Sequence, residues 1–239
     1  MPDSRNRRFP VAMPQRHRDA PVRSRRVLGI LLASLLLLQF GYPITLEGPW
    51  WTVAYLLVYT GVLFFGVRIA NDDPGRYWAV IIASLFLSGS GVWFAVQQED
   101  STAQATFIGA IGILQLTLLI ALGAVLVSPP PKARSIDLIL VAVSAYLLLG
   151  GVFGSLASML EYHSPGSYLD PHASTGSVEW HSLFYNSYVT LSTLGYGDVV
   201  PVDPWARSLM SLEAVLGTLF VAVVIARLVG VAKRTDRDS

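Results

Sequence analysis

What most constrains this chain is how far it runs without a charge. Val27–Leu46, Gly48–Val67, Tyr77–Gln98, Ser101–Pro131 and Leu138–Leu160 contain no Asp, Glu, Lys or Arg, and Ser208–Ala226 is interrupted only by Glu213. About 20 predominantly apolar residues are needed to carry a helix across the hydrocarbon core of a bilayer. The six runs therefore predict six membrane-spanning helices in an all-α membrane protein. Composition agrees, since 14% of the 239 residues are charged against roughly a quarter in soluble domains. The first run follows Arg25-Arg26 and could be a cleaved export signal. No small-x-small cleavage site follows Leu38, so an uncleaved helix is the better reading. The chain has no cysteine, which excludes disulfides, thiolate metal sites and cysteine catalysis.

The few charges are sorted by sign. Eight arginines precede Val27, and further basic residues lie at Arg68–Arg76, at Lys132–Arg134 and from Arg227 to Arg237. The segments near Glu47, Glu99-Asp100 and Glu161–Glu179 hold no Lys or Arg, and Arg207 is the exception on that side. Basic loops stay in the cytoplasm, so a multi-pass cell-membrane protein with both termini cytoplasmic is expected. Beside a membrane helix the basic arm suits anionic lipid rather than nucleic acid. The organisation is then an arm (1–26), a four-helix region (27–128), a proline-rich linker "SPPPKARS", a two-helix unit (136–232) and a short tail (233–239).

The last two runs are separated by 47 residues, Glu161 to Arg207. "EYHSPGSYLDPHASTGS" is polar and turn-rich, an outward-facing loop. "VEWHSLFYNSYVTLS" (178–192) follows, with Ser177 placed as N-cap and Glu179 in the first turn, where a carboxylate suits the helix dipole. It is too short to span and too apolar for water, so a re-entrant half-helix is predicted. Next comes "STLGYGDVVP". Irregular backbone at membrane depth is tolerated only where it is buried in protein or lines a water-filled cavity. Alternating glycines open torsions closed to other residues and let successive carbonyls point one way. A column of carbonyl oxygens can replace the water shell of a potassium ion.

"SYVTLSTLGYGD" resembles the pore helix and selectivity filter of potassium channels. Residues 136–232, including the inner-helix stretch "SLEAVLGTLFVAVVIARLVG", resemble the pore domain of the bacterial two-helix potassium channel family. The resemblance implies that Thr193, Leu194, Gly195, Tyr196 and Gly197 hold K+ through carbonyls and the threonine hydroxyl. Leu194 departs from the commoner valine but offers the same carbonyl. Asp198 would either bond behind the filter, with Tyr185 as donor, or act as a vestibule charge like Asp203 and Glu179. Gly217 would be the inner-helix hinge or a site of close packing. Four converging filter strands imply a homotetramer, with K+ as the permeant ion and no cofactor.

Glu213 is the one acid inside a run. An intramembrane carboxylate is a functional candidate, though a structural bond to pore-helix hydroxyls fits its position better. His163, His172 and His181 lie on the outer side and read as solvated residues rather than pH sensors. The alternatives to a potassium channel are a non-selective cation channel of the same fold, which typically replaces the filter tyrosine, and a membrane enzyme or accessory subunit. The first four runs hold no Asp, Glu, Lys, Arg or His from which to build catalysis.

Overall fold

The computed structural model describes residues 25–41, 43, 74–129, 135–171 and 178–235, with side chains described as far as Arg227. Most of the basic arm, Ser177, His172 and the expected span Gly48–Val67 lie outside the described residues.

The elements are α1 (Arg25–Phe40), α2 (Pro74–Val96), α3 (Ser101–Val127), α4 (Ser135–His163), β1 (Tyr168–Leu169), α5 (Trp180–Leu191), β2 (Val200–Pro201) and α6 (Pro204–Thr235). Local chemistry sets their ends. Pro74 and Pro204 open α2 and α6, at the position where a missing N–H costs nothing. Asp100 caps α3 by accepting from the Thr102 amide at 2.8 Å, and Asp203 does the same for Trp205 at 2.8 Å. Asp203, expected as a vestibule charge, is thus committed to starting α6. The run Pro129–Pro131 stops α3, because proline cannot supply the next helical N–H.

Among the described residues four helices are long and apolar enough to cross a membrane: α2, α3, α4 and the first 24 residues of α6. α1 has 16 residues, about 24 Å at 1.5 Å per residue, short of a hydrocarbon core of about 30 Å. The run Val27–Leu46 led to a longer helix. Gly41 and Pro43 explain the early stop, one by its entropy and the other by its fixed ring. Polar side chains inside the spans turn back on their own helices: Ser84, Thr106, Thr117, Ser158 and Thr218 each donate to the carbonyl four residues earlier. Each of these five hydroxyls is thereby satisfied without a partner from outside its helix.

α4 is the hub, touching α1, α3, α5 and α6. Its core is leucine-rich, with Leu31 and Leu35 of α1, Leu114 and Leu122 of α3 and Leu148 of α4 fully buried. Within the apolar windows 61% of α4 is buried but only 11% of α6. The chain wraps its outer helix and leaves its last helix largely bare. The antiparallel pair β1–β2, with Tyr168 opposite Pro201 and Leu169 opposite Val200, is an addition to the all-helical expectation. It ties the loop before α5 to the segment after it.

Candidate functional site

The site is built on α5, which lies against α4 at unusually short range. A Cβ on Gly150 would come within 2.4 Å of the Tyr188 ring, and one on Gly154 within 2.9 Å of Phe184. Glycines at these positions admit the aromatic face of α5. Three α5–α4 hydrogen bonds accompany this approach. Ser187 Oγ donates to the Gly150 carbonyl at 2.6 Å, Tyr188 Oη to the Leu147 carbonyl at 2.7 Å, and Tyr146 Oη to the Leu191 carbonyl at 3.0 Å. The end of α1 reaches the same place, with Phe40 and Tyr188 ring centroids 5.1 Å apart.

α6 closes the other side. Glu213, 2% exposed, meets the Ser187 hydroxyl of α5, so the acid of the apolar run bonds a hydroxyl on the neighbouring helix. Gly217 sits against the end of α5, where an added Cβ would lie 2.4 Å from the Leu191 carbonyl oxygen. α6 runs unbroken through this glycine. In this structure the glycine packs closely against the end of α5.

α5 starts two residues later than an N-cap at Ser177 would place it. Glu179 is the N-cap itself and makes no side-chain cap bond; its carboxylate pairs with His181 instead. At the other end the chain leaves helical geometry at once. Thr193, Gly195 and Gly197 have φ of 61°, 59° and 76°, while Leu194 and Tyr196 between them keep negative φ. A β-branched threonine in the left-handed region is a true outlier, and such strain persists where the surroundings over-determine it. Here Thr193 N bonds the Thr190 carbonyl at 2.9 Å, and Leu194 N bonds the Val189 carbonyl at 2.9 Å. The strand so formed is exposed from Thr193 to Gly197, with Leu194 60% and Tyr196 68% accessible.

The far end of the strand is clamped. Tyr185 Oη donates to Asp198 Oδ2 at 2.7 Å, while Asp198 Oδ1 accepts from the Val199 amide at 3.0 Å. The two residues singled out together are thus in contact. Past them, β2 pairs with β1, and the Val202 amide bonds the Ser167 carbonyl at 2.8 Å. Glu161 holds this clamp. Its buried carboxylate accepts from the Gly166 amide at 2.9 Å and the Tyr168 amide at 3.0 Å. Burial, with Glu213, Glu161 and Asp203 nearby, pushes the Tyr168 hydroxyl above its ordinary range, so the clamp carries a neutral phenol.

The sequence reading opened the loop at Glu161, but α4 runs to His163, and Glu161 faces inward as a staple. An acid with no Lys or Arg within the following 45 residues was the one available hint. The histidines stand apart from the strand: His163 ends α4 with Nδ1 at 2.8 Å from the Met159 carbonyl, and His181 is engaged by Glu179. Among the described residues no group of His, Cys, Asp and Glu is arranged to hold a metal ion.

A short helix, a strand of alternating handedness and two flanking long helices thus form one unit, and residues 139–234 match the protein-family model described as an ion channel. Over that stretch the chain is similar to an ion-channel domain. The matched residues take in α4 to α6 and leave out α1 to α3. Over 79 residues the chain is 35% identical to the inward rectifier potassium channel Kirbac3.1 of Paramagnetospirillum magnetotacticum, a stretch covering 33% of this chain and 20% of that protein. The chain thus spans about a fifth of that curated relative's length. No solved structure matches it.

Proposed function

We propose that the protein is a passive, potassium-selective channel in which Thr193–Gly197 form the selectivity filter. α5 is its re-entrant pore helix, and four chains surround one pore. The observation that carries this reading is the alternation of left-handed residues at 193, 195 and 197 immediately beyond α5. Such backbone turns successive peptide planes so that their carbonyls face one side, and a column of carbonyls replaces a potassium ion's hydration shell. The C-terminal end of α5 adds a partial negative charge just where the strand begins, which favours a cation. The name of the Kirbac3.1 relative, a potassium channel, points the same way. Asp198, Tyr185 and the Glu161 clamp fix the outer end of the filter, and Glu213 and Gly217 fix its back. In this reading both termini are cytoplasmic, and the N-terminal arginines rest on anionic lipid.

Flux from liposomes tests this directly. Purified protein in vesicles loaded with K+ is expected to carry K+ down its gradient and to pass Na+ far more slowly. Equal rates for the two ions would replace the reading by a non-selective cation channel, and no flux of either would end it.

A further inference from the structure

The last carbonyls of a helix have no partner within the helix and must find one elsewhere. At the end of α5 the chain itself supplies most of them. The Tyr188 carbonyl takes the Ser192 amide at 3.1 Å, that of Val189 takes Leu194, and that of Thr190 takes Thr193. The Leu191 carbonyl, two residues before the strand, is met by the hydroxyl of Tyr146 on α4. The Tyr146 ring also lies beside Phe220 of α6, centroids 5.8 Å apart and tilted by 47°. Gly217, nearly one turn before Phe220, abuts that same Leu191 carbonyl. One side chain therefore touches the outer helix, the last pore-helix carbonyl and the inner helix.

We propose that Tyr146 is a positioning residue for selectivity: braced by Phe220, its hydroxyl sets the Leu191 carbonyl and with it the entrance to the Thr193–Gly197 strand. This rests on the reading of that strand as the filter. The physical case is one of leverage. The strand begins within two residues of Leu191, and its first member is a strained threonine. A strained residue keeps its torsions only while its neighbours over-determine them. Releasing the Leu191 carbonyl removes one of those constraints and leaves the carbonyl to find water or another donor. The inner helix enters through Phe220, because a tyrosine ring displaced from its brace carries its hydroxyl with it.

Tyr146→Phe keeps the ring and deletes the hydroxyl. In the liposome assay the Na+/K+ permeability ratio of this variant is expected to rise about fivefold, which is about 1 kcal/mol at 1.4 kcal/mol per tenfold. The thermal midpoint should stay close to that of the parent. Phe220→Leu should raise the ratio in the same direction, and the double variant should show less than the sum of the two effects, since both act through one contact. A Tyr146→Phe ratio equal to the parent's overturns the proposal, as does strict additivity in the double variant. A parent that does not prefer K+ removes the filter reading itself, and the positioning role with it.

Discussion

At the scale of single residues, the pore-helix environment is set by what cannot be enlarged. Gly217 could serve to bend α6 or to admit α5, and the two roles predict different outcomes for Gly217→Ala. The added methyl would meet the Leu191 carbonyl oxygen at 2.4 Å, inside any real Cβ contact, and that backbone oxygen cannot swing aside. Overpacking of this kind costs about 1–3 kcal/mol. The variant is therefore expected to unfold at a clearly lower temperature in a detergent melt, whatever its gating. An unchanged melting temperature with altered opening would make the glycine a hinge and not a packing site. The residue-scale features that were legible in the sequence are those whose chemistry is local or rare. A lone carboxylate in an apolar run needs a polar partner, and Glu213 has Ser187. Neither Tyr146 nor Glu161 was legible as a residue that holds the ends of α5 and the β1–β2 pair. A tyrosine in an apolar helix and an acid near a helix end carry no signal until the fold brings the Leu191 carbonyl and the Tyr168 amide beside them.

Elements tell a similar story with a different cause. Long charge-free runs identified α2, α3, α4 and α6, because crossing a bilayer demands length and apolarity that few other folds need. Their ends shifted wherever a cap or a proline intervened, as at Phe40 and Asp203. The β1–β2 pair left no trace, since two residues per strand give no alternation to read. What the elements lack is as informative for gating. α3 occupies the place of a fourth helix before a pore unit, yet Ser101–Val127 contains no Lys, Arg, Asp or Glu. Moving one charge through the membrane field is worth about 2.3 kcal/mol per 100 mV, and steep gating uses about 3–4 such charges per subunit. α2 and α3 bring no charge within the hydrocarbon except Arg76 in the first turn of α2. Conductance in planar bilayers with symmetrical K+ is therefore expected to change only gradually with voltage. A steep rise over a few millivolts, or a gating current recorded with the pore blocked, would sink this expectation.

At the scale of the whole molecule, one chain is an incomplete object. Its last helix is 11% buried in its apolar window, and the strand from Thr193 to Gly197 lies open, with the Tyr196 ring 68% exposed. Unpaired backbone carbonyls cannot face hydrocarbon, because lipid offers no donor, and they are tolerated only inside protein or along a water-filled path. In the proposed reading, which sets this strand at membrane depth, other chains enclose it. Carbonyls that replace an ion's water shell must approach it from all sides, which takes about four strands for K+. The same closure would cover the bare face of α6 and the exposed Tyr196 ring. Native mass spectrometry of the detergent-purified protein is expected to show a species of four chains, and cross-linking in vesicles should stop at the same number. Monomers or dimers that still carry K+ would contradict a pore made of one strand per chain. Tyr196→Asp extends the argument: a charge in place of the ring should weaken four-chain assembly and admit Na+ together, because both depend on the surface that Tyr196 meets on its neighbour. Loss of selectivity with assembly intact would place the support of the filter within each chain instead.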